Sequence, residues 1–204
     1  MNIKHLMAGI CLAGALVSCN AGAPKLQTNE NGTQWQWNNG TIEVVTPERP
    51  AGQQSVLQMA LPKMEVVRVG FVGLGMRGPG AVERFTHIPG TQIVALCDYV
   101  QERAERCQKY LKAASLPKAA VYSGETGYEE LCKRDDIDLV YVAADWLHHF
   151  SVAKCALENG KNVAIEVPSA MNLKECWELI NLSESKRLHC MILENCCYDW
   201  FEMN

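Results

Sequence analysis

The sequence predicts an α/β fold, a doubly wound parallel sheet with helices on both faces, and three observations carry that reading. Short apolar runs of strand length recur between stretches of helical spacing. One of them, Ile137 to Ala143, is almost continuously apolar, as a strand covered on both faces must be. The first run, Val66, Val67, Val69, Phe71 and Val72, passes straight into the glycine-rich turn Gly73-Leu74-Gly75-Met76-Arg77-Gly78, after which Ala81 to Phe85 has helical spacing.

Each later element follows from the same alternation. Ile93 to Cys97 reads as the second strand, ending at Asp98, and Gln101 to Lys112 as a helix with Ala104, Cys107 and Leu111 on one face. Ala119 to Tyr122 is a short third strand, and Glu125 to Lys133 a short helix. The run from Ile137 is the fourth strand. Ser151 to Asn159 is expected as a helix with Val152, Cys155 and Ala156 inward and Gly160 as its stop. Asn162 to Ile165 is the fifth strand and ends at Glu166. Leu173 to Ser185 is a further helix, with Asn172 as N-cap and Leu173, Cys176, Trp177 and Ile180 as its inward stripe. Cys190 to Leu193 is the sixth strand, so this domain spans residues 66–196.

The turn at Gly73 has a chemical reading. Gly73 supplies a conformation that a Cβ would obstruct, Gly75 lets backbone N–H groups approach a pyrophosphate, and Gly78 lets the helix lie against its strand. The positive end of that helix then faces the phosphates. Asp98, about twenty residues beyond the last glycine, is placed to accept from a ribose 2′-OH and to repel the extra phosphate of NADP. The expected cofactor is NAD in a Rossmann arrangement. Ligands of such sheets bind beyond the carboxyl ends of the strands. Asp98, Trp146 to His149, Glu166 to Pro168, and Glu194-Asn195 all fall there, which argues for one crevice.

The N-terminal part reads differently. Lys4 followed by the apolar stretch Leu6 to Val17 is a signal-peptide pattern too short to span a bilayer, so residues 1–18 are expected to be a leader on an exported chain. Leu16-Val17-Ser18-Cys19 resembles the bacterial lipobox, which makes Cys19 the expected lipidation site and the mature chain a membrane-anchored lipoprotein, periplasmic or at the cell surface. Residues 19–65, rich in Asn, Gln, Gly, Thr and Pro, are expected to form the tether. Within it, Trp35 and Trp37, the turn signal Asn39-Gly40, and Ile42 and Val44 allow a small hairpin. Its tryptophans serve either to pack on a surface or to contact a sugar, packing being the simpler use.

Composition narrows the classes. A net charge of −4, with no basic run beyond pairs such as Lys133-Arg134, leaves no electrostatic footprint for nucleic acid. Among the ten cysteines no CxxC pair or Cys/His cluster has zinc spacing, so no metal site is expected. Cys97 and Cys190 sit in apolar runs as core residues, and Cys196-Cys197 is a vicinal pair whose redox state is open. Self-association is also open, a homo-oligomer being compatible with the sequence.

At this point the residues resemble a family. Glu166-Val167-Pro168 stands where the glucose-fructose oxidoreductase and inositol dehydrogenase superfamily carries Glu-Lys-Pro. A sharper likeness is to glycoside hydrolase family 109, the NAD-dependent bacterial α-N-acetylgalactosaminidases. It rests on Gly73 to Gly80, Asp145 to His149, Glu166-Val167-Pro168, and Glu194 to Asp199. The resemblance runs from about Thr46 to the last residue. It implies that Met76, Arg77, Asp98, Trp146, Leu147, His148, His149, Glu166, Val167 and Asn195 line the NAD site, beside Gly73, Gly75 and Gly78.

The likeness further implies hydrolysis of glycans ending in α-linked N-acetylgalactosamine by transient oxidation at C3, elimination, water addition and re-reduction, an exception to the paired-carboxylate scheme. Val167 in the lysine position argues against an ordinary dehydrogenase. The family also has a second α/β domain that supplies the sugar pocket. This chain ends at Asn204 and reads as truncated, with 197–204 beginning that further domain and no catalytic base assigned. The alternatives are an NAD-dependent sugar or polyol oxidoreductase and an inactive NAD-binding fragment.

Overall fold

A computed structural model describes residues 25–30, 32–197 and 200–203. The expected leader and Cys19 lie outside the described residues. The chain divides into two compact units, residues 1–46 and 47–204.

In the first unit, β1 (Gln27–Thr28), β2 (Gln34–Asn38) and β3 (Thr41–Val44) form an antiparallel sheet in that order. Asn39 and Gly40 turn between β2 and β3 with φ of 48° and 82°, the left-handed pair that a two-residue hairpin requires. Trp35 pairs with Val44 and Trp37 with Ile42 on one face, while Glu43 on the other accepts from the amides of Gln36 and Asn38 at 2.9 and 2.7 Å. The tether expected from composition is corrected here: part of it is a three-stranded sheet, and β1 had no alternation to announce it.

The second unit opens with another correction. Residues 47–55 pack on a helix rather than run free, as described below. Then come β4 (Val67–Val72), α1 (Gly78–Phe85), β5 (Thr91–Asp98), α2 (Gln101–Ala113), β6 (Ala120–Ser123), α3 (Gly127–Cys132), β7 (Leu139–Val142), α4 (Trp146–Glu158), β8 (Asn162–Glu166), α5 (Leu173–Lys186), β9 (Cys190–Leu193) and α6 (Trp200–Met203). The six strands β4 to β9 form one parallel sheet in the order β6-β5-β4-β7-β8-β9. The doubly wound prediction therefore holds. The order reverses between β4 and β7, where such folds open their binding crevice.

Alternation along each strand splits the core into two layers. Val69 and Phe71 of β4, Leu96 of β5 and Tyr141 of β7 pack with Leu74, Val82, Ala104, Cys107 and Leu111 from the α1 and α2 side. Val72, Val140, Val142 and Ile165 face the other way, onto Leu131, Val152, Ala156 and Leu179 of α3, α4 and α5. A methyl group at Gly70 would stand 2.9 Å from the Leu131 Cδ2 methyl, so a side chain at this strand position would require Leu131 to shift beneath α3.

Two helices differ from expectation. α4 begins at Trp146 rather than Ser151, because Asp145 caps it by accepting from the Leu147 N–H at 3.0 Å. α5 has the expected Asn172 cap, accepting from Glu175 N–H at 3.0 Å. Its buried residues, however, are Leu179, Ser183 and Glu184, while Leu173 and Ile180 are exposed. Glu184 is buried because the 47–55 segment lies on it. Arg49 donates to both carboxylate oxygens at 2.8 and 3.0 Å, Gln53 bonds Asn181 and Glu184, and Arg187 donates to the carbonyls of Gln54 and Ser55. Among the described residues no helix is long and apolar enough to cross a membrane.

Candidate functional site

The crevice is built around the turn between β4 and α1. Gly73 has φ of +92°, and a Cβ there would lie 2.3 Å from the backbone of Ala143 and Ala144, so both conformation and packing demand glycine. At Gly78 a Cβ would stand 1.9 Å from the Gly73 carbonyl oxygen. Gly75 differs: the nearest atom to its virtual Cβ is Arg103 Nη1 at 3.8 Å. Nothing in the protein requires glycine at position 75. The open space above it is a cradle that a side chain would fill, as a pyrophosphate-binding turn needs.

The N-termini around the crevice support the same assignment. Asp145 caps α4 and Asn172 caps α5, whereas no side chain caps α1, α2 or α3; of these three α1, with Arg77 as N-cap, is the one that carries no acid in its first turn. An uncapped helix end with a proline in its first turn leaves N–H groups and a positive dipole for an anion. The residues present therefore fit NAD.

Asp98 ends β5 beside this turn and is 5% exposed. Its Oδ2 accepts from the Leu74 N–H at 2.6 Å and its Oδ1 from the Val100 N–H at 2.9 Å, with Arg103 Nη1 at 3.5 Å. The carboxylate thus closes the glycine turn as well as facing the crevice. Neighbouring Cys97 is buried, and burial together with the Asp98 charge pushes its thiol up to about 12.

On the other side, Arg77 leaves the turn and donates to Asn195 Oδ1, and its Nη2 lies 3.5 Å from Glu166 Oε2. Glu166 also accepts from the Tyr141 hydroxyl at 2.7 Å. Burial first, then Glu166, push the Tyr141 phenol up to about 12, so it is a firm donor. Three expected site residues from three chain segments, Arg77, Glu166 and Asn195, thus meet across the strand ends. Met76, 93% exposed, and the exposed Trp146 and Leu147 present apolar surface around them, and Val167 is half-buried.

The two histidines separate. His148 is exposed, its Nδ1 2.6 Å from Asp145 Oδ2. Burial raises the Asp145 carboxyl, but the His148 contact and the Leu147 N–H outweigh it and hold the group below the usual range. His149 is 1% exposed and does not present a ring edge to the crevice. Its Nδ1 lies 2.6 Å from the Pro168 carbonyl oxygen and its Nε2 2.9 Å from that of Ala144, so it ties the segment after β7 to the segment after β8.

Sequence reasoning missed Tyr141 and Arg103. A hydroxyl inside an otherwise apolar strand was the available signal for the first. Nothing local marked the second, since its place depends on Gly75 and Asp98 converging from other elements.

Residues 67–193 match the oxidoreductase family with the NAD-binding Rossmann fold. The chain is 75% identical over 98% of its length to glycosyl hydrolase family 109 protein 4 of Phocaeicola vulgatus, and 74% identical over 98% to protein 5 of the same organism. It spans 38% and 39% of the length of those two relatives. Among solved structures, myo-inositol dehydrogenase from Lactobacillus casei, in complex with NAD(H) and myo-inositol, matches with a TM-score of 0.56 and 28% identity. That match covers 66% of this chain and 38% of the other.

Proposed function

Because the chain belongs to the oxidoreductase family with the NAD-binding Rossmann fold, we propose that its crevice holds NAD for an NAD-dependent glycosidase acting on terminal α-N-acetylgalactosamine. The observation that carries the cofactor assignment is the open space at Gly75 beside an uncapped α1. The glycosidase part is supported by the high identity to family 109 proteins.

In this reading the Gly75 to Gly78 backbone and the α1 N-terminus hold the pyrophosphate, and Asp98 with Arg103 meets the adenosine ribose. Arg77, Glu166 and Asn195 form a polar rim at the ends of β8 and β9, oriented by Tyr141 from below. NAD bound there supplies reversible hydride transfer, which lets a sugar carbon be oxidised and later restored within one turnover. The protein's part is position and charge. His148 is exposed beyond the end of β7, its ring oriented by the Nδ1 contact with Asp145.

Two measurements test this. Titration of the 204-residue chain with NADH, read by nicotinamide fluorescence, should saturate, and absence of binding would remove the cofactor assignment. A chain extended to the relatives' length should release the aryl group from an aryl α-N-acetylgalactosaminide, without accumulating reduced nicotinamide. The similarity to myo-inositol dehydrogenase favours a second reading, an oxidoreductase on sugars or polyols. That reading gains if reduced nicotinamide accumulates and no aryl group is released.

From the leader pattern we also propose export and lipidation at Cys19. Metabolic labelling with palmitate should mark the wild-type chain and not Cys19→Ser, and equal labelling of both would reject it.

A further inference from the structure

We propose that Cys132 and Cys155 form a redox-responsive dithiol which, on oxidation, links α3 to α4 through a disulfide, with Cys155 as the attacking thiol and Cys132 as the resolving one. The pair lies outside the crevice and does not depend on the cofactor reading. Cys132 is the last residue of α3, and Cys155 lies in the last turn and a half of α4. The two helices pack on one another over the same face of the sheet. Cys132 is fully buried there, whereas Cys155 is half-buried and packs against the same apolar layer. Their sulfurs are in hydrogen-bonding contact, the Cys132 S–H donating to Cys155. Sequence spacing hides the pair, because β7 separates the two positions along the chain.

The two thiols are unlike. Donation from Cys132 holds the Cys155 thiol below its ordinary value, against burial and the nearby carboxylates of Glu129 and Glu158, with Lys133 acting in the same sense as Cys132. The same contact, and then burial, push Cys132 up, while Lys161 opposes them. Asn159 Nδ2 also lies 3.7 Å from Cys155 Sγ as a donor. A reactive thiol needs both thiolate character and access. Cys155 has both, and Cys132 has a sulfur already at its side. The oxidant is a small disulfide such as oxidised glutathione. The Cys155 thiolate attacks one of its sulfurs, a mixed disulfide forms and one glutathione thiolate leaves. Cys132 then gives up its proton and attacks the Cys155 sulfur, expelling the second glutathione. Two protein thiols are oxidised, one glutathione disulfide is reduced to two thiols, and the two thiol protons end on the glutathiones. The link closes residues 132–155 around β7 and restrains the unfolded chain. Cys155 stands about 14 Å along α4 from Trp146, at roughly 1.5 Å per residue, so the staple leaves the crevice end of the helix in place.

The test treats the native 204-residue chain with oxidised glutathione, blocks remaining thiols with N-ethylmaleimide, and maps tryptic peptides by mass. Cleavage after Lys118, Lys133, Lys154 and Lys161 puts Cys132 in peptide 119–133 and Cys155 in peptide 155–161. In the wild type these two should appear joined, and dithiothreitol should separate them. Cys132→Ser should stop at the first step and hold glutathione on Cys155. Cys155→Ser should give neither the link nor an adduct on Cys132. The oxidised wild type should unfold at a higher denaturant midpoint than the reduced protein, while NADH affinity changes less than about twofold. The proposal is overturned if the wild type carries glutathione only at Cys196 and Cys197 with peptides 119–133 and 155–161 unlinked, or if Cys132→Ser leaves Cys155 unmodified. A lowered midpoint in the linked protein would equally overturn it, since the two sulfurs would then not be placed to join without distorting the fold.

Discussion

The two sides of the crevice are closed by opposite chemistry. Beside β4 and β5 an acceptor, the Asp98 carboxylate, gathers the backbone N–H groups of Leu74 and Val100. Beside β7 and β8 a ring, His149, lies against two backbone carbonyls, those of Ala144 and Pro168. The first side carries its charge next to an uncapped helix end. The second has its helix capped by Asp145, so its amides are already engaged and its surface is set by side chains instead. The difference teaches where each part of an extended anionic ligand belongs: phosphates at the first side, neutral rings and hydroxyls at the second.

Breaking the first side should have the largest effect. Gly73→Ala places a methyl group against the Ala143 backbone at φ +92° and should cost about 3 kcal/mol or more, read as a lowered denaturant midpoint. Its control is Gly75→Ala, where the Cβ is free of the protein. That variant should keep the wild-type midpoint and lose NADH affinity. A fall in both would mean that Gly75 is structural too.

The second side should yield less. His149→Ala removes a buried ring that bridges the Ala144 and Pro168 carbonyls and should cost about 2–3 kcal/mol, with NADH affinity falling as the 143–145 and 166–168 segments separate. An unchanged midpoint would show that these segments hold together without the ring. Smaller again is Tyr141→Phe, which removes the hydroxyl from Glu166 and should cost about 1 kcal/mol. If NADH affinity is untouched there, the orientation of Glu166 does not matter to the cofactor.

The smallest effect concerns neither side but the 47–55 segment on α5. Arg49 first, then Gln53, hold the Glu184 carboxyl below its usual range. A carboxyl depressed in the folded state stabilises at pH above its unfolded value, and that contribution disappears as pH falls through the folded one. The protection of amides over residues 51–57, taken relative to their intrinsic exchange at each pH, should therefore fall on acidification, and in Glu184→Gln at neutral pH. Equal protection in wild type and variant at neutral pH would count against the pairing.

Much of this was legible in sequence because the parallel sheet writes itself as apolar runs, and the glycine turn as spacing. All six strands of the large sheet, and the roles of Gly73 and Gly78, follow from local pattern. The start of α4 did not, since Trp146, Leu147, His148 and His149 resemble loop residues until Asp145 is seen to cap them. The inward face of α5 also escaped, because Glu184 is buried by Arg49, a partner 135 positions away. For the same reason the burial of His149, expected to line the NAD site, was not legible: the carbonyls its ring meets belong to two separate strand ends. What sequence pattern misses here is polar burial satisfied at long range.

The distribution of thiols has a practical side. Cys97, Cys107 and Cys132 are buried, and burial pushes Cys97 up to about 12 and the half-buried Cys190 up to about 11. Only the thiolate alkylates, so these sulfurs are slow targets in mildly alkaline solution. Cys196 and Cys197 are exposed and follow directly on Asn195, the residue that Arg77 reaches across the crevice. A maleimide dye added to the unaltered protein would accordingly react at that rim and at Cys155, whose half-buried thiol its contact with Cys132 lowers, so the rim label reports on whatever enters the crevice once Cys155 is distinguished from it.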